Sequence, residues 1–195
     1  MAVGRPRTFD IDEALENALY VFWEKGYEGT SLPDLTEAMG INRPSLYAAF
    51  GNKEELFRKA LDRYAEKITG FMQEKLSAPT AYEGVESLLR TMADGHCSKS
   101  QPRGCLLVQG ALSCGEEAEP IKHELAARRA EIEQTLSKRF ARARLEGDLP
   151  QAINSEDLAR YFATLMHGMA VQAASGATPQ TMHGIVDVAL RAWPR

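Results

Sequence analysis

The spacing of apolar residues restricts this chain to helical folds. Every periodic segment repeats its apolar residues at intervals of three and four, and no segment alternates apolar and polar residues over the length of a strand. The first segment shows the pattern clearly, because Ile11, Leu15, Ala18, Leu19 and Phe22 fall on one helical face. The sequence therefore predicts an all-α protein.

Capping residues and turn residues divide this pattern into separate helices. The predicted N-terminal caps are Asp10, Thr30 or Ser31, Asn42 and Asn52, and the predicted helix ends are marked by Gly26 and Gly40. The fourth helix is expected to run to about residue 79. Beyond it, the predicted helices span 82–97, 104–114, 117–146, 155–175 and 179–192.

Composition limits the class of protein. Hydrophobic residues make up 44% of the 195 residues and charged residues 26%, which is typical of soluble proteins. No run approaches the ~20 consecutive apolar residues of a membrane span, so we expect no membrane partner. The start MAVGRPRTFD lacks the apolar stretch of a signal peptide, and we expect a cytoplasmic protein.

Charge and cysteine content exclude further classes. The net charge is −4, so any nucleic-acid surface must carry its positive charge locally. The three cysteines, Cys97, Cys105 and Cys114, form neither a disulfide framework nor the CxxC pairs of a structural zinc site. The later segments contain no connected catalytic motif, and we expect no enzymatic activity, cofactor or metal.

Residues 30 to 57 have the spacing of a helix-turn-helix, in which two short helices are joined by a turn containing Gly40. No carboxylate occurs from Ala38 to Lys53, as a surface facing phosphates requires. With Leu46 and Phe50 in the core, the third helix leaves one set of residues for DNA: Arg43, Pro44, Ser45, Tyr47, Ala48 and Ala49.

From this set, we expect Arg43 and Ser45 to read bases. We expect Tyr47, together with Lys53 at the start of the fourth helix, to position the protein on phosphates. The alternative is a helical hairpin in an ordinary bundle, with Tyr47 at the edge of its core.

The string TSLPDLTEAMGINRPSLYAAFGNKEELF, residues 30 to 57, resembles the DNA-binding signature of the tetracycline-repressor (TetR) family of bacterial regulators. The preceding FDIDEALENALYVFWEKGYEG resembles the first helix of that family. The resemblance implies a homodimer with an N-terminal three-helix DNA-binding domain and a C-terminal helical domain for an inducer and for dimerisation. We place these domains at 1–52 and 53–195, joined by the long fourth helix.

Carried over by position, the recognition helix of the family falls on Asn42 to Phe50, its phosphate-contacting tyrosine on Tyr47 and its helix-four lysine on Lys53. Thr30 and Ser31 match the polar entry to its second helix. The chain departs from the family at Ala48 and Ala49, where many members have a histidine or another polar residue. Small side chains here remain able to touch a thymine methyl group.

The segment GRPR precedes the first helix. Its Arg5 and Arg7 resemble a basic arm of residues 1–9 that reaches into the minor groove, and the alternative is a solvated tail. A single reading helix contacts few base pairs, so a dimer on a palindromic double-stranded operator is expected.

The two C-terminal helices are rich in small and apolar residues, which suits a four-helix interface between two chains. We expect Phe162, Met169, Ile185 and Ala189 in this interface, with burial inside one chain as the alternative. An unknown small-molecule inducer would release the DNA by favouring another separation of the reading heads. The candidate pocket residues are Met92, His96, Gln109, Tyr161, Met166 and His167.

Cys105 opens an apolar helix after the sequence PRG, and a helix N-terminus beside Arg103 would lower the pKa of its thiol. The segment PRGCLLVQGALSC resembles that of family members that sense electrophiles or oxidants through a cysteine. A thiol-based sensor is therefore an alternative to non-covalent induction, and a buried structural cysteine is another. Two further alternatives are a thiol enzyme with His96 or His123 as base, and a helical dimer that only binds proteins.

Overall fold

The computed structural model describes residues 9–110 and 115–194, and this part of the chain contains helices and no strand. Its α-helices are α1 (Ile11–Gly29), α2 (Leu32–Met39), α3 (Arg43–Phe50), α4 (Lys53–Leu76), α5 (Ala81–Gly95), α6 (Leu106–Gln109), α7 (Glu119–Glu146), α8 (Ser155–Ala174) and α9 (Pro179–Arg191). A 3-10 turn, Glu116–Ala118, precedes α7. The predicted all-α class is confirmed.

Side-chain caps fix the starts of the N-terminal helices, as the sequence predicts. The Asp10 carboxylate accepts hydrogen bonds from the backbone N–H groups of Asp12 and Glu13. Ser31 and Asn52 each form a reciprocal capping box with the acidic residue three positions later. These contacts satisfy backbone N–H groups that have no partner inside the helix. They therefore stabilise the N-terminal ends of α1, α2 and α4.

A turn at Gly40 sets α2 and α3 at an angle to each other. Gly40 has φ of 65°, in the left-handed region, and its N–H bonds to the carbonyls at the end of α2. Leu35 and Met39 on α2 are buried together with Leu46 and Phe50 on α3. The turn therefore closes one small core under α3 and leaves the opposite face of α3 at the surface.

Two hydrophobic clusters divide the described residues, and α4 belongs to both. The first cluster joins α1, α2 and α3 with the N-terminal half of α4, the segment from Cys105 to Val108, the start of α7 and Ala170 of α8. The second joins the C-terminal end of α4 with α5, α7, α8 and α9. Because one continuous helix contributes to both cores, a rotation of α4 moves the α2–α3 pair relative to the C-terminal helices.

Two predicted helix boundaries are corrected. Gly26 kinks α1 with φ of 70° and ψ of 174°, and one further turn follows before Thr30, where the sequence predicted an end. In the predicted helix 104–114, the described residues form one helical turn, α6, which begins after Gly104 with its positive φ of 83°; residues 111–114 lie outside the described part of the chain. The remaining helices agree with the predicted positions to within a few residues.

No helix among the described residues is long and apolar enough to cross a membrane. In the same part of the chain, no group of three or more His, Cys, Asp or Glu side chains is placed to hold a metal ion.

Candidate nucleic-acid interface and ligand cavity

The outer face of α3 carries the residues that the sequence singles out for DNA. Leu46 and Phe50 are buried, and Tyr47 is 49% exposed on the opposite side of the helix. The structure therefore brings most of the predicted set to one surface. Its exposed members are Asn42, Arg43, Pro44, Tyr47 and Ala48, and its half-buried members are Ser45 and Ala49.

The polar residues at the entries to α2 and α3 act mainly as caps. The side-chain oxygen of Asn42 accepts the Ser45 N–H at 2.9 Å. The Ser31 hydroxyl donates to the Asp34 carboxylate at 2.6 Å and accepts the N–H of the same residue. Both side chains remain exposed. A contact with phosphate would therefore be made by side chains that also cap a helix.

Thr30 departs from the expectation of a DNA contact. Its side chain is 1% exposed, and its hydroxyl donates to the Gly26 carbonyl at 2.6 Å. The hydroxyl satisfies a backbone carbonyl at the kink of α1, which explains why a polar residue occupies this buried position. The side chain of Thr30 is thus a structural part of α1 and not part of the exposed surface.

Lys53 lies at the first position of α4, beside the α3 surface. Its Nζ is 4.6 Å from the centre of the Tyr27 ring, a cation–π contact that orients the ammonium group. Partial burial lowers the pKa of Lys53, and Glu28 opposes that effect. The free N–H groups at the start of α4 add positive potential at the same place.

The carboxylates that follow the segment from Ala38 to Lys53 are paired within the protein. Glu54 bonds to Arg58 at 2.7 Å, and Glu55 accepts the Asn52 N–H at 2.8 Å as part of its capping box. Near them, the Lys59 ammonium donates to the Phe50 carbonyl at the C-terminal end of α3, at 3.0 Å. These pairings reduce the negative potential beside α3, and Lys59 is a cation that sequence reasoning did not include.

The basic arm lies outside this description. Arg5 and Arg7 precede the described residues, which begin at Phe9.

A cavity of about 320 Å³ lies between the two hydrophobic clusters. Its walls come from α1, α4, α5, α7, α8 and the segment between α5 and α6. The structure places four of the predicted pocket residues in this wall, and they are Met92, His96, Met166 and His167; the candidate sensor Cys105 lies in the wall as well.

Two predicted pocket residues lie elsewhere. Gln109 is outside the wall and accepts the Cys105 N–H at 2.8 Å, while Tyr161 is 46% exposed on α8. Sequence reasoning also missed part of the wall, because Leu19, Tyr20 and Trp23 of α1 contribute to it. Their helical spacing matches that of ordinary core residues, so the pattern contains no signal that they border a cavity.

Cys105 has a different environment from the predicted one. Burial raises the pKa of its thiol, which is 8% exposed, while the Tyr64 hydroxyl donates to its Sγ at 3.3 Å. Arg103 does not activate it, because the guanidinium donates to the Ala177 carbonyl. The expected low pKa is therefore corrected to a raised one, since the loss of solvation outweighs the favourable contacts.

We expect Cys105 to react slowly with thiol reagents at pH 7. In a Cys97→Ser, Cys114→Ser variant, the raised pKa and the burial of Cys105 should slow its reaction with Ellman's reagent. The rate should be clearly lower than for the same variant unfolded in guanidinium, where the thiol is exposed and burial no longer disfavours its thiolate. A folded-state rate equal to or above the unfolded rate would contradict this environment.

The predicted dimer residues are largely buried inside the single chain. Phe162, Met169 and Ala189 are at most 2% exposed, and Ile185 is half-buried against the C-terminal core. They are corrected to residues of the single chain's interior, because Phe162 and Met169 belong to the second cluster, Ile185 packs against it and Ala189 is buried. A different face of the same helices is exposed, with Tyr161 and Val171 on α8 and Val188 on α9.

We call this surface the α8–α9 face. Its members recur at intervals of three and four, so they form one stripe on each helix. They are Tyr161, Thr164, Gly168 and Val171 on α8, and Thr181, Gly184 and Val188 on α9, and all are exposed.

Comparison with known proteins identifies the family of both parts of the chain. Residues 14–60 match the family model of bacterial regulatory proteins of the tetR family. Residues 81–188 match the model of the tetracyclin repressor-like C-terminal domain.

The HTH-type transcriptional repressor ComR of Escherichia coli strain K12 is 35% identical, over 98% of this chain and 92% of its own length. A solved structure of the TetR family transcriptional regulator CifR is 45% identical, with a TM-score of 0.95 over 98% of this chain and 100% of that one. That CifR variant has three cysteines replaced and is in complex with a 26-base-pair double-strand operator DNA. A TetR transcriptional regulator from Rhodococcus sp. RHA1 is 41% identical, with a TM-score of 0.65 over 95% of this chain and 100% of that one. With matches of this extent in both halves, the chain belongs to the TetR family of bacterial regulatory proteins.

Proposed function

We propose that this protein is a homodimeric transcriptional repressor of the bacterial cytoplasm, which binds a palindromic operator through α3 and releases it when a small-molecule inducer fills the cavity. The observation that carries the proposal is the exposed face of α3, which projects Arg43, Tyr47 and Ala48 from a segment without carboxylates. Such a face fits the major groove in shape and in charge.

The relatives support the DNA-binding part of this proposal. ComR is named a transcriptional repressor, and CifR has been seen with operator DNA. Because the CifR structure matches this chain along nearly its whole length, α3 of this chain corresponds to a helix in a DNA-bound fold. We infer the same division of labour as in the sequence analysis, with Arg43 and Ser45 reading bases and Tyr47 and Lys53 on phosphates.

The α8–α9 face supports the proposed dimer. Three large apolar side chains on it, Tyr161, Val171 and Val188, are exposed in the single chain, and contact with a second copy would remove them from water. Small residues such as Gly168 and Gly184 on the two exposed stripes let two helices from a second copy approach closely. A four-helix contact of this kind would hold two α3 helices at a fixed separation, as a palindromic operator requires.

Ion pairs support a mechanical role for α4 in induction. Arg63 of α4 pairs with Asp12 and Glu16 of α1, at 2.8 and 2.9 Å. Nearer the N-terminal end of α4, Arg58 pairs with Glu124 of α7 at 3.0 Å. A ligand that favours another packing between α4 and α7 would thus move α1 and the reading helix with α4.

Substitution of a residue that reads bases and substitution of a residue that contacts phosphate should have different effects on DNA affinity. Arg43→Ala is expected to cost about 1–3 kcal/mol on the operator and little on random DNA, because a base contact is lost. Lys53→Ala should weaken both and lower the salt slope of binding by about one unit, because a phosphate contact is lost. Fluorescence anisotropy over a range of salt concentrations measures both quantities. An equal loss on operator and random DNA for Arg43→Ala would assign that residue to the phosphates.

The proposed function is tested by selecting fragments of the source genome with the purified, reduced protein at near-physiological salt. The fragment upstream of its own gene should be included. Enrichment of a palindrome is the expected result, and genes beside it would indicate the class of inducer. If no fragment is enriched with or without added metabolite extract, the α3 face is not a DNA-reading surface.

A thiol-based sensor remains a second candidate for one reason, which is that Cys105 lies in the wall of the cavity. An electrophile that entered the cavity would meet this thiol, although the raised pKa of Cys105 slows the reaction. In this case an oxidant or electrophile would release the wild-type protein from DNA and leave Cys105→Ser bound. Release of both proteins would assign the response to another cysteine or to non-covalent binding.

A further inference from the structure

The cavity wall contains buried nitrogen atoms without a hydrogen-bond partner. Among the described residues, five buried side-chain nitrogens lack one, and three of these belong to Trp23, His96 and His167. All three residues line the cavity. Trp23 is 6% exposed and His96 8% exposed, so water on the outer surface does not satisfy them. Buried polar groups without partners are costly, and a cluster of them beside a cavity indicates a ligand that supplies the partners.

The chemistry of the two most buried groups is complementary. Trp23 Nε1–H is only a donor. The hydrogen bond between the His96 ring and the Gly104 backbone raises the pKa of His96, as a ring N–H that donates to a carbonyl does. Since Nε2 has no partner, that donor is Nδ1, and Nε2 keeps its lone pair. Burial lowers the pKa of His96 overall, so the ring is neutral at pH 7 and Nε2 is an acceptor.

The rest of the wall argues against a charged ligand. Lys67 is the one charged side chain in it, and its ammonium is already paired with Glu16 at 2.5 Å. Most of the other wall residues are apolar or aromatic, including Leu88, Ile132 and Phe71. An ion transferred to this site would lose its hydration without gaining a counter-charge. The volume of about 320 Å³ is at the lower end of the range for small-molecule sites, about 300–1,000 Å³.

We propose that the cavity binds a small, neutral, largely apolar molecule with a hydroxyl group, whose oxygen accepts from Trp23 Nε1–H and whose O–H donates to His96 Nε2. The proposal rests on the proposed function and names the class of its inducer. Both nitrogens are buried in the wall, so the proposed contacts require the two rings to turn towards the cavity when the ligand enters. The Trp23 ring packs edge-on against Tyr64 of α4, with 4.8 Å between the ring centroids, so such a turn changes a contact between α1 and α4.

The test uses three probes with the same two-ring outline, which are 2-naphthol, 2-methylnaphthalene and 2-naphthoate. Titration calorimetry on the dimer at pH 7 measures the affinity for each. The two neutral hydrogen bonds make the naphthol bind about tenfold to a hundredfold more tightly than the methyl compound, at about threefold to tenfold for each bond. The naphthoate binds more weakly than the naphthol, because the wall holds no unpaired cation for it.

Variants locate the contacts. Trp23→Phe keeps an aromatic ring and removes the donor, so the preference for naphthol over methylnaphthalene falls about threefold to tenfold, the effect of one hydrogen bond. Trp193→Phe makes the same exchange in the C-terminal core, outside the cavity, and retains the preference. His96→Phe removes the acceptor and lowers the preference as well. Thermal unfolding of each variant confirms that it is folded. If His96→Phe does not fold, the change in preference in Trp23→Phe by itself tests the proposed hydroxyl contact.

Four results overturn the inference. The first is equal affinity for naphthol and methylnaphthalene, and the second is tightest binding of the naphthoate. The third is a preference that is undiminished in Trp23→Phe, which places the hydroxyl elsewhere. The fourth is absence of binding by all three probes. If genomic fragments are still enriched in that case, the DNA-binding proposal stands without this ligand class.

Discussion

Val188→Asp is expected to convert the dimer into a monomer and to abolish operator binding. Val188 is 65% exposed in the single chain, so the substitution leaves the folded core intact. In the proposed symmetric contact each chain buries the new carboxylate against its partner, at a cost of about 3–5 kcal/mol for each unpaired charge. The dimer dissociation constant should therefore rise more than about a thousandfold.

Sedimentation at micromolar concentration measures this change, and anisotropy on an operator fragment measures the loss of DNA affinity. Leu145→Asp is the matched control. Leu145 is 87% exposed at the end of α7, away from the α8–α9 face, and its variant should remain dimeric. If Val188→Asp also stays dimeric, the interface lies on another surface of the protein.

Ala48→Glu should weaken operator binding about a thousandfold without unfolding the protein. Ala48 is exposed on α3, and glutamate is a good helix former, so the reading helix is retained. The new carboxylate would face phosphates across a surface that has no acidic residue. A like-charge contact of this kind costs several kcal/mol, and about 2 kcal/mol in each half-site gives about 4 kcal/mol for the dimer.

Two control variants separate charge from size and from net charge. Ala48→Gln has the same length and no charge, and it should bind within about threefold of the wild type, because an exposed neutral side chain adds no repulsion. Ala126→Glu adds the same charge at an exposed position on α7 and should have little effect. Thermal unfolding confirms the fold of each variant. A similar loss for Ala48→Gln would show that crowding, and not charge, is responsible.

The fold near α3 was predictable because its signals are local. Asn42 and Asn52 cap the helices that follow them, and Gly40 takes the left-handed conformation that the turn needs. Each of these contacts joins residues that are at most a few positions apart. A sequence records such relations directly, and the resemblance to the TetR family rests on the same residues.

The pocket and the dimer surface were predictable only in part, because they depend on which helices pack together. Periodicity identified Phe162 and Met169 as apolar, yet it does not distinguish burial inside one chain from burial between two chains. The pKa of Cys105 was predicted in the wrong direction for a similar reason. The position at a helix start is local, whereas the burial that raises the pKa comes from contacts such as that with Tyr64.

The close contact between α1 and α6 bears on how a chimera containing this chain could be built. At the kink, the Tyr27 N–H donates to the Gly110 carbonyl at 3.1 Å, and a Cβ on Gly26 would lie 3.4 Å from that same oxygen. A Cβ on Gly110 would come within 2.7 Å of the Leu106 carbonyl. A first helix taken from another protein would therefore have to fit a turn that has no room for a side chain at position 110. A chimera that takes α1 and the turn at residues 105–110 from the same parent keeps this contact intact.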